Sequence, residues 1–237
     1  MPPQIFILVA AYNEADRIGA TLAGLALAFP GAPVWVADDG STDATPEIAR
    51  AAGARVVRSE RVIGKGAAVT RAAREALHET GPAAAAGSID RSIFVLCDGD
   101  LADSASALGP LADTVARGEA DIAVAAFSRR VGGGVGLALA FARWAIRRRC
   151  GAETTAPISG QRALRADVLE DVLPFADGFG MEIGMTIDAL RAGRRLLEVE
   201  LDLAHRASGR TVAGFLHRGR QLADFVRAYL ARGRARA

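Results

Sequence analysis

Asp98-Gly99-Asp100 sets two carboxylates one residue apart, directly behind the apolar run Ser92-Ile93-Phe94-Val95-Leu96-Cys97. Such a run, ended by polar residues, reads as a buried strand, which puts both acids at its carboxyl end. Hard oxygen ligands of this kind suit Mg²⁺ or Mn²⁺, and an ion held there can in turn hold a diphosphate. Gly99 lets the backbone turn, so that both acids, or one acid and a bound water, reach one metal. Acids flanking a glycine are also ordinary in surface turns. What raises the motif above that background is where the other polar residues fall.

The elements that must position these acids are visible in the hydrophobic period. Ile5 to Ala10 and Val34 to Ala37 are short apolar runs of strand type, followed by helical patterns over Ala15 to Phe29 and Thr45 to Ala52. Arg55 to Arg58 reads as a third strand, Lys65 to Glu79 as a helix, and Thr80 to Ser88 as a Gly/Pro/Ala connector. Ile93 to Cys97 is the fourth strand, Leu108 to Arg117 a helix and Ile122 to Phe127 the fifth strand. This alternation predicts an α/β fold, a largely parallel sheet flanked by helices, with ligands beyond the carboxyl ends of the strands. The second half is less regular, with helices over Gly136 to Cys150, Met181 to Ala192 and Phe215 to Arg234, and strands over Gln161 to Arg165 and Leu196 to Leu203. No internal repeat or long linker divides the 237 residues, so a single domain is expected.

Polar residues gather at three strand ends in this scheme: Tyr12-Asn13-Glu14, Asp38-Asp39-Gly40-Ser41 and Asp98-Gly99-Asp100. Any one is an ordinary loop, but three at equivalent topological places make a site. Ser41 or Thr42 is expected to cap the helix that follows. Lys65 adds a fourth feature. Of the 29 lysines and arginines it is the single lysine, and it sits between Gly64 and Gly66 at a helix start. There an ammonium and exposed backbone amides can meet a phosphate together, although a lysine in a surface turn has the same look.

Bulk properties exclude several classes. A formal charge of +2 gives no reason to expect nucleic acid as a partner. Two cysteines, Cys97 and Cys150, are too few for a disulfide framework and fit a reducing cytoplasm. No basic leader precedes the first apolar run, so no signal peptide is expected. The uncharged stretch Val131 to Ala142 is 12 residues, too short to cross a bilayer. It leads into Arg143 and Arg147-Arg148-Arg149, so it reads either as a peripheral contact with the inner face of a membrane or as a core helix with a solvated basic end.

Together, Ala10-Ala11-Tyr12-Asn13-Glu14, Val36-Ala37-Asp38-Asp39-Gly40-Ser41-Thr42-Asp43, Gly64-Lys65-Gly66 and Asp98-Gly99-Asp100 resemble the family 2 glycosyltransferases over roughly the first 130 residues. Their order and spacing look most like the dolichyl-phosphate mannosyltransferase branch. The resemblance implies a GT-A fold, Rossmann-like, with a nucleotide-sugar-binding half over residues 1–130 and an acceptor-binding half with a terminal helix over 131–237. It also implies an enzyme that moves a hexose from a UDP- or GDP-sugar to an acceptor. Asp38 and Asp39 would accept hydrogen bonds from the base or ribose. Ala11, Tyr12 and Glu14 would line the nucleotide pocket, and Lys65 would meet a phosphate or ribose. Asp98 and Asp100, with Gly99 between them where alanine is commoner, would hold Mg²⁺ or Mn²⁺ against the diphosphate and stabilise its growing charge. Arg129 or Arg130 follows the fifth strand where related enzymes often carry Gly-Ser-Arg, and would contact a phosphate.

Downstream, Ser159-Gly160-Gln161-Arg162 resembles the Ser-Gly-Phe-Arg stretch of the same branch, which puts Arg162 among the donor-binding residues; the acid that often precedes that stretch is replaced by Ala156-Pro157-Ile158. Glu182, behind Gly178-Phe179-Gly180-Met181, is the candidate base for an acceptor hydroxyl if transfer inverts the anomeric centre, or else a plain first-turn helix residue. His205, past the strand ending at Leu203, is the candidate third metal ligand; His217, in a basic helix, is weighed against it. Glu182-Ile183-Gly184-Met185 followed by His205-Arg206 also resembles glucosyl-3-phosphoglycerate synthases, retaining enzymes on a related fold. The acceptor is therefore a polyprenyl phosphate or a small phosphorylated acid. A nucleotidyltransferase or a nucleotide-sugar-binding protein without transfer activity is the reading from another class, and a homodimer is left open.

Overall fold

In a computed structural model the chain is described over residues 3–79, 92–127, 136–203 and 223–233. Seven strands form one sheet: β1 Ile5–Ala11, β2 Val34–Asp38, β3 Arg55–Arg58, β4 Ile93–Asp98, β5 Ile122–Phe127, β6 Arg162–Arg165 and β7 Leu196–Leu201. Their order is β3-β2-β1-β4-β6-β5-β7. All neighbouring pairs are parallel except those made by β6, which runs antiparallel between β4 and β5. The helices are α1 Ile18–Ala28, α2 Thr45–Ala51, α3 Lys65–Glu79, α4 Gly109–Ala116, α5 Leu137–Cys150, α6 Ala166–Val172 and α7 Met181–Arg191, and residues 223–231 are helical too.

Period-2 alternation along each strand sorts the core into two layers. Ile7, Val9, Val95 and Cys97 face one layer, whereas Phe6, Leu8, Phe94 and Leu96 face the other, beneath α3. The rings of Phe6 and Phe94 stack across β1 and β4 with centroids 5.1 Å apart, an arrangement worth about 1 kcal/mol beyond area burial. The same alternation carries Asp98 to the Phe94 and Leu96 side of the sheet, the side on which α3 begins with Lys65.

β3, α3 and β5 have the bounds expected from sequence, the other expected strands and helices α1, α2, α4, α5 and α7 differ by one to a few residues, and α6 was not expected; the expected connector over 80–88 and residues 215–222 of the expected terminal helix lie outside the described residues. α1 starts at Ile18 because residues 15–17 form a turn in which the Arg17 and Ile18 amides both donate to the Glu14 carbonyl. The segment before α4 is a 3-10 helix, Ala102–Leu108. β6 and β7, from the second half of the chain, complete the sheet.

Candidate active site

β2, β1 and β4 are neighbours, in a register that pairs Ala11 with Asp38 and Ala10 with Asp98, so their three carboxyl ends emerge side by side. The turns after β1 and β2 are laced together. The Asn13 amide donates to Ser41 Oγ (2.9 Å), the Thr42 amide to Asn13 Oδ1 (2.8 Å) and the Glu14 amide to Thr45 Oγ1 (2.8 Å). Asn13 takes a φ of 54°, which asparagine tolerates better than most residues. Ser41 and Thr42 therefore serve the neighbouring turn and do not cap α2. Asp43 does that work instead, its Oδ1 accepting the Thr45 amide (3.0 Å).

Lys65 stands at the centre of the site. Its Nζ lies 2.6 Å from Asp98 Oδ1 and 2.7 Å from Glu182 Oε1, joining the end of β4 to the first turn of α7. Burial works against the charge on Lys65, but the two carboxylates, Asp98 ahead of Glu182, outweigh it and push the ammonium above its ordinary value. Gln161, fully buried, donates its amide to Asp98 Oδ2 (2.8 Å) and accepts from Ser159 Oγ (3.2 Å). Gly160 packs beneath this group so closely that a Cβ on it would lie 2.7 Å from Asp98 Oδ2 and 2.9 Å from Lys65 Nζ. Deleting the cation from this half-buried group leaves carboxylates uncompensated, at a cost below the roughly 3–5 kcal/mol of a fully buried pair.

Glycines set the path of the backbone into this cluster. Gly64 has a φ of +96°, and a Cβ on Gly66 would fall 1.8 Å from the Ala176 carbonyl oxygen. Gly99 is needed for a reason other than the turn expected from sequence: its Cβ would meet the Ala10 carbonyl at 3.1 Å and Ile18 Cδ1 at 3.2 Å, so close packing against β1 and α1 decides it. Thr21 then locks the acidic turn, donating to the Gly99 carbonyl and accepting the Ala102 amide, both at 2.8 Å. Arg17 Nη1 donates to the Asp100 carbonyl (3.3 Å).

Several residues expected to face the donor have internal partners. Asp38 is fully buried; its Oδ1 accepts the Ser41 amide (3.1 Å) and its Oδ2 lies 3.3 Å from Arg58 Nε. Asp39 accepts the amides of Ile63 (2.7 Å) and Gly64 (2.9 Å), tying β2 to the loop that delivers Lys65. Burial raises the Asp39 carboxyl above the usual range, against the pull of those amides. Arg162 corrects the sequence reading most plainly. Its guanidinium is fully buried and donates to Ser159 O (2.8 Å), Thr186 Oγ1 (2.9 Å) and Pro157 O, so it braces the segment under the site and presents nothing to a phosphate. Burial pushes Arg162 down to about 10, opposed by Glu182 and Glu198. Ala11 is buried, its carbonyl accepting the Asp39 amide; Glu14 is half-buried and Tyr12 exposed at the mouth. Arg129 and His205, with Arg130 and His217, lie outside the described residues.

The donor set fits a hard cation in part. Asp100 is half-buried at the end of β4, and its carboxylate makes no hydrogen bond or ion pair with the described residues. Asp98 faces the same end of the strand, but Lys65 and Gln161 hold its two oxygens. Among the described residues no group of three histidine, cysteine, aspartate or glutamate side chains gathers around one point. One or two carboxylates with the rest of the shell from water and substrate phosphate is how Mg²⁺ is commonly bound. Gln161 and Thr21 are the functional residues missed from the sequence. Gln161 left a trace there, as a polar residue where the resembling stretch has phenylalanine.

Comparison with known proteins bears on this geometry. A family model described as glycosyl transferase family 2 matches residues 6–173. Glycosyltransferase AglJ of Haloferax volcanii is 29% identical over 220 residues, covering 88% of this chain; the chain spans 65% of the length of that curated relative. Glucosyl-3-phosphoglycerate synthase from Mycobacterium tuberculosis, solved with Mn²⁺, UDP-glucose and phosphoglyceric acid, superposes with a TM-score of 0.74 at 28% identity, over 97% of this chain and 79% of that one. The same protein with Mn²⁺, UDP and glucosyl-3-phosphoglycerate gives 0.74 at 26%, over 97% and 80%. The dolichyl-phosphate mannosyltransferase branch finds no support in these matches.

Proposed function

The chain belongs to glycosyl transferase family 2 and has the GT-A architecture of its structural neighbours, and from that premise we propose that it moves a hexose from UDP to a small phosphorylated acid. The observation that carries the reading is the Lys65 bridge. One ammonium contacts Asp98, at the strand end where the diphosphate belongs, and Glu182, at the helix start on the acceptor side. Likeness to a synthase solved with UDP-glucose and phosphoglyceric acid supports the choice of donor and acceptor. On this reading the chain acts as a single domain, residues 1–130 holding the donor and 131–237 the acceptor.

The bond from the anomeric carbon to the β-phosphate oxygen breaks, a bond to the acceptor oxygen forms, and the acceptor hydroxyl loses its proton. A divalent ion bound at Asp100, with Asp98 beside it, would neutralise charge growing on the departing diphosphate. Lys65 adds a fixed positive charge at the same place, so the site is organised before reaction begins. Where transfer inverts the anomeric centre, Glu182, held in position by Lys65, is the carboxylate able to take that proton. His205 is retained as a candidate third ligand.

A polyprenyl phosphate acceptor with a GDP-sugar donor is the alternative, on the motif order described above; a cytoplasmic location fits both. The test is product analysis with UDP-glucose or GDP-mannose, each offered with 3-phosphoglycerate or with polyprenyl phosphate, in the presence of Mn²⁺. We expect UDP release that requires the phosphorylated acid and yields a product heavier by one hexose. Turnover only with the lipid phosphate transfers the proposal to the alternative. Tight donor binding without turnover on any acceptor would leave a binding protein.

A further inference from the structure

α5 is apolar on two faces, and the described protein covers one of them. Ala142, Ala145 and Ile146 are fully buried, in a cluster with Ile183, Ile187 and Phe225. Beside that face, Leu137, Phe141, Trp144 and Arg148 follow at spacings of four, three and four residues, the repeat that aligns side chains along one stripe of a helix. Leu137 is 66% exposed and Trp144 44%. The rings of Phe141, Trp144 and Tyr229 form a cluster with centroids 5.1 to 6.0 Å apart, and Leu230, the next residue along, is 63% exposed.

The charges that α5 itself carries have one sign. α5 carries Arg143, Arg147, Arg148 and Arg149 and no acid. Arg149 lies 4.0 Å over the Tyr229 ring, and Arg143 donates to the Thr155 carbonyl. Arg147 and Arg148 point to solvent; Arg147 has only Glu153, 3.6 Å away and itself highly exposed, and Arg148 has no ion pair among the described residues. A mostly apolar stripe ending in solvent-facing arginines asks for a partner that is apolar inside and anionic at its surface.

We propose that the stripe Leu137, Phe141, Trp144 and Arg148 docks the protein on an anionic lipid surface. Tryptophan and tyrosine favour the boundary between headgroups and acyl chains, and arginines beside them meet lipid phosphates. A second copy of this chain fits the face less well, because a two-fold contact sets the same patch on both sides and α5 carries no acid to meet Arg147 and Arg148. Among the described residues no helix is long and apolar enough to cross a membrane, so the contact is one of lying on the surface. The inference does not rest on the identity of the acceptor.

Tryptophan emission tests it directly. The chain has two tryptophans, and Trp35 is 1% exposed in the core, so a blue shift on adding vesicles reports Trp144. Vesicles of phosphatidylcholine mixed with phosphatidylglycerol are expected to shift the emission and sediment the protein, and pure phosphatidylcholine is not. Salt should weaken the binding. Arg147→Gln with Arg148→Gln should weaken sedimentation roughly thirty-fold at low salt with the melting temperature unchanged, and Trp144→Ala roughly tenfold, both with solution turnover of a UDP-sugar unchanged. Equal binding to both vesicle types, or none to the anionic ones, overturns the proposal. So does a dimer, measured by light scattering, that Trp144→Ala dissolves while vesicles leave the emission unmoved.

Discussion

Gly160→Ala separates the stability of the fold from the geometry of the site. The added Cβ would sit 2.7 Å from Asp98 Oδ2, 2.9 Å from Lys65 Nζ and 3.1 Å from Asp98 Oδ1. Carbon and oxygen need about 3.5 Å, so the carboxylate must retreat by roughly half an ångström or more. The atoms in the way are the ends of two side chains that are each about a quarter exposed, so they can yield without moving backbone. The Gln161 to Asp98 bond at 2.8 Å and the Lys65 to Asp98 pair at 2.6 Å are what give way. Loosening them should cost about 1 kcal/mol of stability, a fall in melting temperature of about 2–4 °C for a chain of this size. The catalytic cost should be far larger, roughly a hundredfold in kcat/KM, because displacements of this order at a positioned group cost that much. Steady-state release of UDP measures the second quantity and thermal denaturation the first. Gly109→Ala is the control: its φ is −46° and nothing lies within 4 Å of its Cβ, so it should be neutral or slightly stabilising. Unchanged kcat/KM in Gly160→Ala would refute the claim that the Lys65, Asp98 and Gln161 cluster positions the donor.

Other substitutions probe the same arrangement from different sides. Asp100→Ala should lower metal-dependent turnover at least roughly a hundredfold while leaving the metal-free melting temperature within about 1 °C; full activity with Mn²⁺ would remove Asp100 from the site. Gly66→Ala differs in kind from Gly160→Ala, because its Cβ would lie 1.8 Å from a backbone carbonyl, and a loss of more than about 3 kcal/mol in denaturant unfolding is expected. Burial would raise the Glu198 carboxyl, but hydrogen bonds from Thr154, Thr155 and the Ala156 amide outweigh it and hold it below its ordinary value. A carboxylate depressed by folding stabilises above its unfolded pKa and loses that contribution as pH falls, so acid should loosen residues 154–156 from β7 below about pH 4.5. Glu198→Gln should flatten that acid limb in a pH series of melting temperatures; an identical limb would show that another group governs it.

Strand periodicity carried much of the fold. β3, α3 and β5 have their expected bounds because their apolar residues repeat at one clear period between turn residues. The place of β6 was not legible, since four residues carry no mark of the antiparallel pairing that inserts them between β4 and β5. The polar residues that sequence places at the ends of β1, β2 and β4 emerge side by side, because the register pairs Ala11 with Asp38 and Ala10 with Asp98. Which of them point into the site was hidden, because period-2 alternation assigns a side of the sheet but not a partner. Asp38 and Asp39 turned to backbone amides, and Arg162 was drawn into the core by Ser159, Pro157 and Thr186. Each is polar because it pins a loop, and in sequence a loop-pinning acid looks the same as a ligand-binding one.

Lys65 shows why one residue type is unlike the rest of the chain. Arginine serves this protein where a planar fork suits the partner: Asp121 is held by Arg165 and Arg195, and Asp167 by Arg165 and Arg194. Those pairs have room for the plane of a guanidinium. Between Asp98 and Glu182 the demand is different, since one cation must reach two carboxylates on separate elements while Gly160 leaves no space even for a methyl group beside it. A compact ammonium on a flexible stem meets that demand and a guanidinium does not. Gly64, Gly66 and Gly160 are then the other half of the same solution, clearing backbone and side-chain volume so that a single charge can stand between the donor side and the acceptor side of the site. Asp98 at the end of β4 is thereby joined to α7 without any ligand, and under the proposed function that is the pre-organisation that makes a fixed charge effective on a leaving diphosphate.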